Sequence, residues 1–133
     1  AESFTMIRAG HLDISVMGGL QVSEKGDLAN WLVPERKIGT IGGAMDLAVG
    51  AKKLIIAMNH VTKEGAPRIV KKCTYPITAL GVVKLIVTDL AVIEVTSKGL
   101  LLKEVAPGLS VEDVQSVTEP KLIISPDLKE IQL

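Results

Sequence analysis

Gly42-Gly43-Ala44-Met45-Asp46-Leu47-Ala48-Val49-Gly50-Ala51-Lys52-Lys53-Leu54-Ile55-Ile56-Ala57-Met58 is the stretch from which the fold can be read. Ala44, Leu47, Ala48 and Ala51 fall at i, i+3, i+4 and i+7, the spacing of one apolar helix face. Their small side chains would let such a helix pack close to a sheet. Leu54 to Met58 is a continuous apolar run, short enough for a fully buried strand. Upstream, Leu12, Ile14 and Val16 alternate with Asp13 and Ser15, which predicts a strand running into Gly18-Gly19. Between these segments, Gln21 to Asn30 is polar, with turn residues at Lys25-Gly26-Asp27. Pro34 to Gly43 reads as an extended loop. Strand, loop, helix, strand is the order of a βαβ unit, whose parallel strands need a crossover.

Outward from this unit, Phe4, Ile7 and Arg8 lie at helical spacing, and Gly10 could end that helix. The second half is richer in strands. Ile69 to Cys73 and Leu85 to Val87 are candidates. Leu90 to Val95 and Leu100 to Val105 flank Thr96-Ser97-Lys98-Gly99, a hairpin in which Gly99 can take positive φ. Ser110-Val111-Glu112-Asp113 has the form of a helix start, with Ser110 capping and acids in the first turn. Leu122 to Ser125 closes as a short strand. No repeat or linker divides the chain, so residues 1–133 are expected to form one α/β domain.

Composition narrows the function. The 133 residues are 47% hydrophobic, yet Phe4, Trp31 and Tyr75 are the only aromatics, so aliphatic side chains must fill the interior. The 15 basic and 15 acidic residues cancel, leaving no broad field to attract nucleic acid or an anionic membrane. No apolar run approaches the ~20 residues of a membrane-spanning helix. The opening Ala1-Glu2-Ser3 lacks the basic-then-apolar pattern of a signal peptide, and the absent initiator Met suggests a processed or truncated product. Cys73 is the single cysteine and cannot form an internal disulfide. The expectation is a soluble intracellular domain.

The glycine pair Gly42-Gly43, opening a helix, is the most specific candidate for chemistry. Free amides at a helix start attract negative charge. They can also hold an oxyanion in acyl transfer. A tight loop-to-helix turn without a ligand is the alternative. Glu24, in Ser23-Glu24-Lys25-Gly26, has the residue type of a carboxylate nucleophile but the neighbours of a solvated turn. His60 closes the Leu54–Met58 strand, where strand ends face a ligand crevice. It could be a general base, or a polar cap whose nitrogens are satisfied. His11 has no partner that the sequence names, and two histidines with one distant cysteine give no zinc spacing. Cys73 reads as a small core residue rather than a reactive thiol. Lys52-Lys53 and Lys71-Lys72 could meet phosphates, or could simply be solvated strand ends. Asp46 suits the charge pattern of a helix's first turn. Met6, Met17, Met45 and Met58 read as packing residues.

Several segments together resemble the B-type 3-oxoacid CoA transferases. They are Ser3-Phe4-Thr5-Met6-Ile7-Arg8-Ala9-Gly10-His11-Leu12-Asp13; Gly19-Leu20-Gln21-Val22; Gly26-Asp27-Leu28-Ala29-Asn30-Trp31 with Pro34; Gly42-Gly43-Ala44-Met45-Asp46-Leu47; Lys71-Lys72-Cys73-Thr74; Pro76-Ile77-Thr78; and Thr88-Asp89-Leu90-Ala91-Val92. The resemblance implies the α/β fold of that family, a mixed sheet flanked by helices, with the β-hairpin in its second half. It implies succinyl-CoA:3-oxoacid or acetate:acetoacetate chemistry, with a coenzyme A thioester as substrate and no permanently bound cofactor. In that chemistry a glutamate attacks the thioester, giving an acyl-glutamyl anhydride and free CoA thiolate. The thiolate returns to form a glutamyl-CoA thioester, and a second carboxylate takes the CoA. The resemblance puts the Gly43 amide in the oxyanion hole, with Gly42 and Ala44 beside it at the acyl-CoA site.

The family's nucleophile lies in a Ser-Glu-Asn-Gly motif, which Ser23-Glu24-Lys25-Gly26 does not match. The nucleophile is therefore expected in a missing N-terminal portion, and this chain alone is expected to be inactive. The loop before Gly42 usually has a proline and another glycine where Gly39 and Thr40 stand, and Asn59 stands where glutamate is usual; Thr40 and Asn59 bear on loop geometry and acyl preference. An A-type subunit, the missing portion, acyl-CoA and carboxylate substrates are the implied partners, in an oligomer. The expected location is cytoplasmic for a bacterial source and the mitochondrial matrix for a eukaryotic one. The competing readings are a non-catalytic binding or assembly module on the same fold, and a related acyl-CoA hydrolase.

Overall fold

The computed structural model describes residues 5–9, 12–29, 53–77 and 79–131. Ten strands and one short helix are defined among them. They are β1 (Thr5–Ala9), β2 (Leu12–Met17), β3 (Gln21–Ser23), β4 (Leu28–Ala29), β5 (Lys53–Ala57), β6 (Ile69–Val70), β7 (Val83–Val87), β8 (Ala91–Thr96), β9 (Gly99–Val105), α1 (Val111–Gln115) and β10 (Ile123–Glu130). Seven strands form one mixed sheet in the order β1-β2-β5-β7-β8-β9-β10, and three form a smaller sheet in the order β4-β3-β6.

The central pairs β2–β5 and β5–β7 are parallel, as the βαβ reading requires. β7, β8 and β9 continue antiparallel, and β10 returns parallel to β9. The hairpin lies where the sequence puts it, with Thr96 paired to Gly99 and Gly99 at φ 133°. The helix start is also as read. Ser110 Oγ accepts the Asp113 amide at 3.1 Å, and the Asp113 carboxylate accepts the Ser110 amide at 2.9 Å.

One face of the large sheet carries the core. Leu54, Ile56, Val83, Ile86, Ile93, Leu100 and Leu102 pack with Val22, Leu28 and Ile69 of the small sheet and with Val114 of α1. Each such aliphatic side chain contributes about 1.5–3 kcal/mol by leaving water. The small sheet and α1 thus cover the same face.

Several expectations are corrected. Ile7 and Arg8, read with Phe4 at helical spacing, lie in β1, which pairs antiparallel with β2 from Thr5↔Val16 to Ala9↔Leu12. A five-residue segment is too short to sustain a helix alone, whereas pairing along β2 gives alternate residues of this edge strand backbone partners. Gln21 to Asn30 contains β3 and β4, and Gln21, Val22, Ser23, Leu28 and Ala29 are buried. β5 is not buried on both faces: Leu54 and Ile56 are fully buried, Ile55 is half-buried and Ala57 is exposed. The Ile69–Cys73 strand shrinks to Ile69–Val70, while the Leu122–Ser125 strand extends to Glu130 across an irregularity between Ile124 and Lys129. Among the described residues α1 is the single helix, so helices flanking the sheet are not seen there. The expected helix from Ala44 to Ala51, the loop before it and Gly10 lie outside the described residues.

Candidate functional site

Three parallel strands release the chain at one edge of the large sheet. β2 leads into Gly18-Gly19-Leu20, β5 into Met58-Asn59-His60, and β7 into Thr88-Asp89-Leu90. The space outside the carboxyl ends of such strands is where α/β sheets bind ligands.

The β5 exit is held firmly. The Met58 amide donates to the Val87 carbonyl at 3.1 Å, and the His60 amide to Asp89 Oδ1 at 2.9 Å. The His60 carbonyl accepts the Arg68 amide at 3.0 Å. Asn59, exposed between these anchored neighbours, stands at the rim of the crevice.

His60 is fully buried, and both ring nitrogens have partners. Nδ1 lies 2.8 Å from Thr88 Oγ1, and Nε2 lies 2.7 Å from Thr118 Oγ1. The proton positions follow from the hydroxyls. Thr118 gives its hydrogen to the Val114 carbonyl at 2.7 Å, so it accepts from His60, and Nε2 carries a hydrogen. Thr88 Oγ1 accepts the Leu90 and Ala91 amides, both at 3.0 Å, so its lone pairs are occupied and its hydrogen points to Nδ1. A second ring proton would meet an oxygen with no acceptor capacity left. Burial lowers the His60 pKa below its ordinary value, with the Asp89 charge acting weakly in the opposite direction. His60 is therefore a neutral histidine of fixed tautomer tying β5, β7 and the segment after α1 together. Of its two sequence readings, the geometry supports the satisfied polar cap.

The same segment is stitched to the small sheet. The Glu119 amide donates to the Ile69 carbonyl at 3.1 Å, and Glu119 Oε1 accepts the Lys71 amide at 2.8 Å. Arg68 lies nearby, half-buried, with Nε donating to the Val61 carbonyl at 3.4 Å and Nη1 to the Leu20 carbonyl at 3.3 Å. Arg68 and Thr118 did not stand out in the sequence, and Thr88 did so only as part of a family-like segment, not as a partner of His60. Thr88 and Thr118 lie 28 and 58 positions from His60, so no local spacing links them.

The other candidates fall elsewhere. Gly42, Gly43 and Ala44 lie outside the described residues, as do His11, Thr40, Asp46, Met45 and Lys52. Glu24 is half-buried and lines a groove of about 420 Å³ with Lys25, Thr96, Ser97 and Lys98. β8 runs antiparallel to β7, so this groove is at the amino end of the parallel strands, opposite the crevice. Cys73 is half-buried rather than a core residue; burial first, then the Asp27 charge, pushes its thiol up to about 11. Lys71 and Lys72 are exposed, and Met58 packs against the core. Among the described residues no cluster of His, Cys, Asp or Glu could hold a metal ion.

A mixed sheet whose parallel strands end together is the architecture on which α/β proteins place their ligand sites. Residues 1–116 match the model of the coenzyme A transferase family. The chain belongs to that family, on its B-type side. It is 47% identical over 133 residues to the beta chain of the acetate CoA-transferase of Haemophilus influenzae, covering 100% of this chain and 60% of that protein. It is 47% identical over 119 residues to the B-type half of the succinyl-CoA:3-ketoacid coenzyme A transferase of Helicobacter pylori, covering 90% of this chain and 58% of that one. The chain thus spans about three fifths of the length of these relatives. The fold is shared with the acyl-CoA transferase YdiF of Escherichia coli O157:H7, at a TM-score of 0.77 and 22% identity over 92% of this chain and 28% of that one.

Proposed function

We propose that this chain is the oxyanion-holding portion of a B-type CoA transferase, which moves CoA between an acyl-CoA and a 3-oxoacid such as acetoacetate. The nucleophilic glutamate comes from outside residues 1–133, the exchange passes through a glutamyl-CoA thioester, and an A-type subunit completes the enzyme. The carrying observation is the family match across residues 1–116, which includes the Gly42-Gly43 loop. Free amides at a helix start suit a developing oxyanion, which is the role that the sequence reading gives Gly43. Gly42 and Ala44 would line the acyl-CoA site beside it.

The test is CoA transfer from succinyl-CoA to acetoacetate by the complete, glutamate-containing protein with its A-type partner, compared with Gly43→Val. Loss of one oxyanion donor lowers turnover on the order of 10²–10³-fold. The expected result is that loss, with thermal stability and partner binding retained. Turnover within a few-fold of the parent refutes the role of Gly43. Free acid appearing without an acceptor points instead to hydrolysis, and no turnover by the complete parent points to an assembly module.

A further inference from the structure

Arg68 carries a charge that pairs with no carboxylate among the described residues. The residue is half-buried, and the two hydrogen bonds of its guanidinium go to the Val61 and Leu20 carbonyls at 3.4 and 3.3 Å, near the outer limit for such bonds. Among the described residues no carboxylate pairs with it. The acids on adjoining loops are committed elsewhere, Asp89 to the His60 amide and Glu119 to the Lys71 amide, while Glu64 is exposed in its turn. Removing a cation from water without a counter-charge is unfavourable. Guanidinium has five N–H donors, and these two carbonyls take two of them.

Position gives the remaining donors a use. Leu20 follows β2 and Val61 follows β5, so the two carbonyls that orient Arg68 belong to two of the loops bounding the crevice. A planar guanidinium held by its Nε side presents a fork suited to two oxygens of one anion.

We propose that Arg68 is an anion-recognition residue of this crevice, binding a carboxylate or phosphate group of the substrate. The inference rests on the transferase reading for its choice of ligands, since both chemistries occur there: carboxylate on the acceptor acid, phosphate on coenzyme A.

The experiment uses the complete transferase as parent, Arg68→Gln, Arg68→Lys, and Lys84→Gln, an exposed lysine at the amino end of β7 that controls for loss of one charge. Loss of a charge-assisted hydrogen-bonding pair raises KM about 10- to 100-fold. The expected result is such a rise for one substrate in Arg68→Gln, kcat within a few-fold, partial recovery in Arg68→Lys, and no change in Lys84→Gln. A carboxylate ligand raises KM for acetoacetate and leaves CoA affinity by calorimetric titration unchanged. A phosphate ligand weakens CoA binding and leaves a succinyl-pantetheine thioester, which lacks the nucleotide, unaffected. KM values within twofold of the parent overturn the proposal. So does a parallel fall in kcat and Tm with KM unchanged, the mark of a residue that only ties two loops. If Arg68→Gln does not fold, Arg68→Lys alone decides, because it keeps the charge and loses the fork. Failure of the parent to transfer CoA counts against the transferase reading alone. Titration of parent and variants with CoA and with succinate then still judges Arg68.

Discussion

Thr118→Val should destabilise the protein more than its size suggests. The substitution removes an oxygen that accepts from His60 Nε2 at 2.7 Å and donates to the Val114 carbonyl at 2.7 Å. Valine fills nearly the same space, so the loss is one of hydrogen bonding. The stranded ring N–H has no escape by changing tautomer, because a hydrogen on Nδ1 would face Thr88 Oγ1, which already accepts two amides. A buried donor left unmade costs about 1–3 kcal/mol. In a chain of this size that lowers Tm by roughly 3–5 °C for each kcal/mol. Replacing the ring as well should be less harmful. In His60→Leu the Thr118 hydroxyl keeps the Val114 carbonyl, and the Thr88 hydroxyl can turn to the Ala91 carbonyl, already at 3.4 Å. The assay is denaturant unfolding of the parent, both single variants and the double variant. The expected outcome is a non-additive cycle in which Thr118→Val costs less once His60 is leucine. A Thr118→Val effect below ~0.5 kcal/mol, or strict additivity, would show that the directed relay through His60 is wrong.

Three further outcomes follow from single sites. Burial holds the His60 pKa below its ordinary 6.5, so only the unfolded chain takes up the proton as pH falls through that value. Its contribution is complete above pH 6.5 and declines below it, at up to about 1.4 kcal/mol per pH unit; His60→Asn should lose this part of the slope in urea melts at stepped pH. Gly26 and Gly65 share positive φ, at 84° and 87°, but a Cβ on Gly26 would lie 2.8 Å from the Val83 carbonyl oxygen while one on Gly65 meets nothing within 4 Å. Backbone strain costs about 1–3 kcal/mol at either site, so Gly26→Ala should lower Tm clearly further than Gly65→Ala; equal losses would show that the loop yields. Cys73, its thiol pushed up to about 11, should carry roughly 100-fold less thiolate at pH 8 than an ordinary cysteine. Iodoacetamide should therefore label it far more slowly in the folded protein than in urea, and equal rates would refute the assignment.

What the sequence determined by itself lies where neighbours in the chain are also neighbours in space. The hairpin about Ser97-Lys98, the capping box of Ser110 and Asp113, and the strands at Leu12–Met17 and Lys53–Ala57 rest on turn geometry, a four-residue cap, side-chain alternation and a short apolar run, all expressed within a few residues. The family resemblance was legible for a related reason, as ordered segments along the chain. Tertiary pairing decided the rest. β1 is a strand because β2 offers it an edge, which outweighs the helical spacing of Phe4, Ile7 and Arg8. β3, β4 and β6 span two or three residues, too few to show any period, and exist through each other's hydrogen bonds. At the crevice, His60 was visible as the residue closing a strand. Its neutrality was not, because that depends on hydroxyls 28 and 58 positions away whose own hydrogens are already directed. Arg68 became legible only once the fold carried Leu20 and Val61 to the same edge and left its charge, among the described residues, without a carboxylate.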